Sequence, residues 1–125
     1  MMRIAFVLLV VMTPLAWANS MPEITGHGFA YPTPWVCGDG ELTFRLETIW
    51  ELPSPIVFVV IDTAGDEVIR VEGGPAGAQS IYGYSFFFEA VWDGRNADGR
   101  LVAPGTYICY VEGVSDSAFR FIVTR

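Results

Sequence analysis

Hydrophobic and polar positions follow two regimes along the chain. Ile4 to Met12 carry no polar side chain, with Arg3 ahead of them and Thr13-Pro14 behind. After Asn19 the pattern breaks into short segments, and none sustains the 3.6-residue period of a helix. Glu41-Leu42-Thr43-Phe44-Arg45-Leu46-Glu47 alternates strictly, which puts Leu42, Phe44 and Leu46 on one face of a strand and polar groups on the other. Ile56 to Ile61 is apolar throughout, as in a strand covered on both faces. Asp62-Thr63-Ala64-Gly65-Asp66 then supplies turn chemistry before a further strand at Glu67 to Val71. Gly73-Gly74-Pro75-Ala76-Gly77 reads as a loop, Tyr84 to Trp92 as an aromatic strand, and Asp93 to Gly99 as a second loop. Thr106 to Val111 and Ala118 to Val123 complete six clear strands. A seventh, irregular edge strand is expected within Ile24 to Val36, where Pro32 and Pro34 exclude a central position.

The first apolar run is too short for a spanning helix, which needs about 20 such residues. Its charged start, Pro14 and the small side chains of Ala16 and Ala18 fit an export signal cleaved before Asn19. The expected organisation is a signal peptide at 1–18, a flexible N-terminal segment at 19–30 and one domain at 31–125. Removing 18 residues from 125 leaves 107, the length of a single domain. The mature product is expected outside the cytoplasm, in the periplasm, on the cell surface or in the medium, with no membrane insertion after cleavage.

Cleavage also removes Arg3, so six arginines face 14 acidic residues and the net charge is −8 with His27 neutral. Nucleic acid and anionic membranes are held by clustered positive charge, and this balance argues against both. About seven short strands in about 100 residues is the count of an immunoglobulin-like antiparallel β-sandwich. A closed barrel of similar length is the other all-β arrangement.

Val91-Trp92-Asp93-Gly94-Arg95-Asn96-Ala97-Asp98-Gly99-Arg100-Leu101-Val102-Ala103-Pro104-Gly105-Thr106-Tyr107 resembles, in order and spacing, the signature of the FlgD-like immunoglobulin-like domain. That family is related to the C-terminal sorting domains of type IX secretion cargo. Tyr31-Pro32-Thr33-Pro34-Trp35 is similar to its opening Tyr-Pro-Asn-Pro-Phe, and Ile61 to Val68 to its central hairpin, so the likeness covers Tyr31 to the C-terminus. The resemblance implies a β-sandwich of a kind usually appended to an enzyme, adhesin or scaffold. Its signature residues specify fold: Trp92 buries a ring at a strand end, Asp93 and Asp98 accept backbone N–H bonds in turns, and Gly94, Gly99 and Gly105 take conformations closed to other residues. Gly105-Thr106-Tyr107-Ile108-Cys109 also looks like the tyrosine corner and second cysteine of a true immunoglobulin domain, with Cys37 and Trp50 upstream.

Cys37 and Cys109 are the only cysteines, and in an exported protein a disulfide between them is the first expectation. Two cysteines and one histidine lack the spacing of a metal site, and the Asp93 to Gly99 loop reads as turn capping rather than a calcium loop. No cofactor is implied. His27 has no evident triad partners, and the spacing of Glu47, Glu51 and Glu89 selects no catalytic pair. Most aromatic residues are expected in the core; Trp50, in the proline-bounded segment Ile49 to Pro55, is the candidate ligand contact. The expected function is a non-enzymatic structural or interaction module that docks on an envelope or secreted protein. The alternative is a small carbohydrate- or peptide-binding β-sandwich using exposed aromatics.

Overall fold

A computed structural model describes residues 26–81 and 84–125. The expected export signal and its cleavage site lie outside the described residues. Among the described residues the regular structure is eight strands: β1 (Gly26–Tyr31), β2 (Trp35–Val36), β3 (Leu42–Thr48), β4 (Ile56–Asp62), β5 (Glu67–Ile81), β6 (Tyr84–Trp92), β7 (Gly105–Val111) and β8 (Phe119–Thr124). Together they form one mixed sheet in the order β1-β3-β6-β5-β4-β7-β8-β2, rolled nearly into a barrel. Every pairing is antiparallel except that of β2 with β8. The all-β expectation holds.

The six expected strands are present, and the irregular edge strand is two strands. Pro32 and Pro34 have no N–H to extend a ladder, and the chain leaves β3 at this point to join β8 at the opposite end of the sheet. Among the described residues the first strand starts at Gly26, inside the segment expected to be flexible. Gly73 to Gly77, expected as a loop, is instead the middle of β5. Glu67 to Gly73 pair with β4 and Gly74 to Ile81 with β6, so this one strand carries the sheet around the roll. Gly73 serves the crossover directly, because a Cβ there would lie 2.4 Å from the Glu89 carbonyl oxygen. The register shift between Pro75 and Gly77 falls where proline interrupts the donors.

Alternation puts Leu42, Phe44, Leu46 and Thr48 of β3 inside, as its pattern requires. Phe44 is the hub of the core. Its ring centroid lies 5.3 Å from Phe121 on β8, 5.8 Å from Trp92 on β6 and 6.0 Å from Phe58 on β4. Rings from distant strands therefore meet at one point, and their burial holds the rolled sheet closed.

The edge strand β1 has the reverse arrangement. Gly26, Gly28 and Ala30 point inward, while His27, Phe29 and Tyr31 point out. A Cβ on Gly28 would lie 2.6 Å from the Ser117 carbonyl oxygen and 2.7 Å from the Phe119 ring. Small residues on this face let β1 close down on the start of β8.

Candidate functional site

The signature segment forms a compact double turn between β6 and β7. Asp93 Oδ1 accepts the Arg95 N–H at 3.0 Å, and Asn96 Oδ1 accepts those of Asp98 and Arg100, each at 3.0 Å. The expected acceptor role of Asp93 is present. In the second turn Asn96 is the acceptor, and Asp98, which was expected there, contributes its backbone N–H. The asparagine could have been found in the sequence, since its amide favours turns as strongly as a carboxylate does. Trp92 buries its ring and donates Nε1–H to the Arg95 carbonyl at 2.9 Å. Gly94 has φ of 86°, and a Cβ there would sit 2.6 Å from the Trp35 ring, so this turn admits no side chain. Gly99 and Gly105 also take positive φ, at 81° and 155°, with open space around them.

Tyr107 completes the corner by donating its hydroxyl to the Ala103 carbonyl at 2.5 Å. The bond ties the start of β7 back to the preceding turn, four residues upstream. Burial first, then the Asp62 carboxylate, raises the Tyr107 phenol above its ordinary 10.0. An open cleft of about 400 Å³ lies beside it, with Asp62, Glu67, Asn96 and Asp98 on its walls. Asp62 Oδ1 and Asn96 Oδ1 are already engaged by backbone donors in their own turns. The chemistry of this end of the molecule is turn construction.

The two cysteines are not bridged, contrary to the sequence expectation. The Cys37 N–H bonds the Thr124 carbonyl beside β2, whereas Cys109 on β7 lies opposite Phe119. Phe119 and Thr124 are about 16 Å apart along β8 at strand rise, and the cysteines flank opposite sides of that strand. A disulfide needs Cα atoms within about 7 Å. Cys109 is fully buried in the core, and that burial pushes its thiol pKa up.

At the other end, Trp50 stands where the sequence suggested, in the loop after β3, and is 48% exposed beside an exposed Ile49. Thr48 Oγ1 donates to the Trp50 carbonyl at 2.5 Å, which ties the loop to the strand end. An apolar cleft of about 250 Å³ lies between Leu52, Pro53, Pro55, Ile56 and Val114.

The third feature is the outer face formed by β1, β3 and β6. Their registers set Phe29 beside Arg45 and Arg45 beside Glu89 in a central row, with His27, Glu47 and Phe87 in the row on one side and Tyr31, Thr43 and Val91 in the row on the other. The rings of His27, Phe29 and Tyr31 run in series at centroid spacings of 5.8 and 6.1 Å. Arg45 Nη1 binds Glu89 Oε2 at 3.0 Å, its Nε faces Glu47 Oε1 at 3.3 Å, and its guanidinium lies over Phe87 at 4.2 Å. Tyr31 donates its hydroxyl to the same Glu89 oxygen at 2.6 Å. That hydrogen bond, more than burial, raises the Tyr31 phenol above its ordinary 10.0. Sequence reasoning missed this cluster, although Gly26-His27-Gly28-Phe29-Ala30-Tyr31 carries its period of two openly. The chain matches no family model, no curated protein and no solved structure.

Proposed function

We propose that the chain is an exported, non-enzymatic interaction module built as a FlgD-like, immunoglobulin-like β-sandwich. The strand order supports this fold: β1-β3-β6-β5 and β4-β7-β8 run as do A-B-E-D and C-F-G of an immunoglobulin domain, with β5 shared between the halves. The Tyr107 corner at the start of the sixth of those strands is a further support. The observation that carries the functional reading is where the large apolar side chains go. The core is closed by its own rings, yet Tyr31, Ile49, Trp50 and Val91 are held out to solvent by regular strands or an anchored loop. A frame that displays such side chains while satisfying its own interior is suited to docking.

The test is site-specific photo-crosslinking in the producing cell, on the full chain. Crosslinkers at Trp50 and at Val91 should each give discrete adducts with an envelope or secreted component, and one at Arg100 on the turn-building end should not. Equal scatter from all three positions would contradict the proposal. Export is checked by intact mass: the product should be shorter by 18 residues and absent from the cytoplasm.

A second reading, a small carbohydrate-binding module, is favoured by the exposed rings themselves. Trp50 and Tyr31 are exposed aromatic side chains with a polar edge, of the kind that stack on sugars.

A further inference from the structure

The outer face of β1, β3 and β6 combines ring side chains with a carboxylate–guanidinium pair, and its rings lie outside the core. The inward side of β1 is all glycine and alanine, so packing of this strand on the core is done without His27, Phe29 or Tyr31. Solvent-facing positions of an edge strand are ordinarily filled by polar residues. Here three successive outward positions carry rings, and Phe87 and Val91 extend the apolar surface across β6.

From this juxtaposition we infer that the face binds a neutral glycan, laid along the His27-Phe29-Tyr31 row with its hydroxyls against Arg45 and Glu89. The inference rests on the carbohydrate-binding reading and gives it a location other than Trp50. A sugar ring has an apolar C–H face and a rim of hydroxyls. The β1 rings, in series at 5.8 and 6.1 Å, offer the first a surface to stack on. Arg45 presents a planar fork of donors, and Glu47 and Glu89 present acceptors, which is the pairing that adjacent hydroxyls require.

Charge selects the ligand class. Arg45 is flanked by two glutamates, so the cluster is negative overall, as is the chain. Phosphate, sulfate and polyanionic chains are repelled, whereas an uncharged polyol is not. Tyr31 Oη and Arg45 Nη1 meet on one Glu89 oxygen, which fixes that carboxylate before any ligand arrives and limits the ordering cost of binding.

The test is affinity electrophoresis of the full chain in native gels containing hydroxyethylcellulose, xylan or galactomannan, with heparin as the polyanionic probe. Retardation by at least one neutral polysaccharide is expected, with none by heparin. Tyr31→Ala should weaken the apparent affinity about tenfold, and Tyr31→Phe, which keeps the ring, by clearly less. Glu89→Gln should also weaken it, whereas Trp50→Ala should leave it unchanged. Retardation abolished by Trp50→Ala and untouched by Tyr31→Ala would overturn this location while leaving the carbohydrate reading in place. No retardation by any neutral polysaccharide would overturn both, and retardation by heparin alone would overturn the assigned ligand class. Tyr31 is 42% exposed, so all variants should fold, and the near-ultraviolet circular dichroism of each is compared with the parent.

Discussion

Strands β1 and β3 are neighbours in one antiparallel ladder, yet they use their two faces in opposite ways. On β3 the large residues Leu42, Phe44 and Leu46 point inward, and Thr43, Arg45 and Glu47 point out. On β1 the inward positions are Gly26, Gly28 and Ala30, and the outward ones His27, Phe29 and Tyr31. Hydrophobic burial explains the first strand completely. The second is explained by sterics inside, where Ser117 and Phe119 leave no room at Gly28, and outside by the binding role proposed above. Comparing adjacent strands thus separates side chains that hold the fold together from side chains the fold merely presents.

Substitutions on either side of this divide should differ sharply in cost. Phe44→Ala removes the ring that joins β3 to β4, β6 and β8, and should cost about 3–5 kcal/mol in chemical denaturation. In a domain of about 100 residues this lowers the melting midpoint by well over 10 °C. Gly28→Ala should cost about 1–3 kcal/mol, because the atom its Cβ meets is a backbone oxygen with no rotamer to escape into. A neutral outcome there would mean that β1 does not close down on β8.

Tyr107→Phe should cost about 1 kcal/mol by deleting the bond to Ala103. Its pH dependence follows from the direction of the phenol shift. Folding favours the neutral form, so the contribution is complete below pH 10 and is lost as pH rises through the raised folded value. Denaturation midpoints measured between pH 8 and 11 should fall less steeply at the alkaline end in Tyr107→Phe than in the parent.

Much of the fold was legible in the chain because it rests on local alternation. Leu42 to Leu46 declares its inward face, and Asp62 to Asp66 declares its turn. What was not legible depends on register and on partners distant in sequence. Gly73 to Gly77 looks like a loop because its residues are those of loops, and its service as a strand follows from β5 changing partner from β4 to β6. Cys37 and Cys109 suggest a bridge by compartment alone, and the pairing of Trp35 with Val123 and Val36 with Thr124 sends Cys37 to the wrong end of β8. In the candidate site, Trp50 could be singled out because its loop gives it no core to enter. The Tyr31, Arg45 and Glu89 cluster could not, because three strands converge only in the folded sheet.

On the proposed reading, the outer rings belong to presentation and not to folding. Guanidinium denaturation of the parent and of Tyr31→Ser/Val91→Ser, whose positions are 42% and 49% exposed, tests it most directly. The expected loss is at most about 1 kcal/mol, the scale of the Tyr31–Glu89 hydrogen bond, with unchanged denaturant slopes. A loss of about 2 kcal/mol or more, the scale of a buried side chain, would contradict it and return these residues to the structure of the fold.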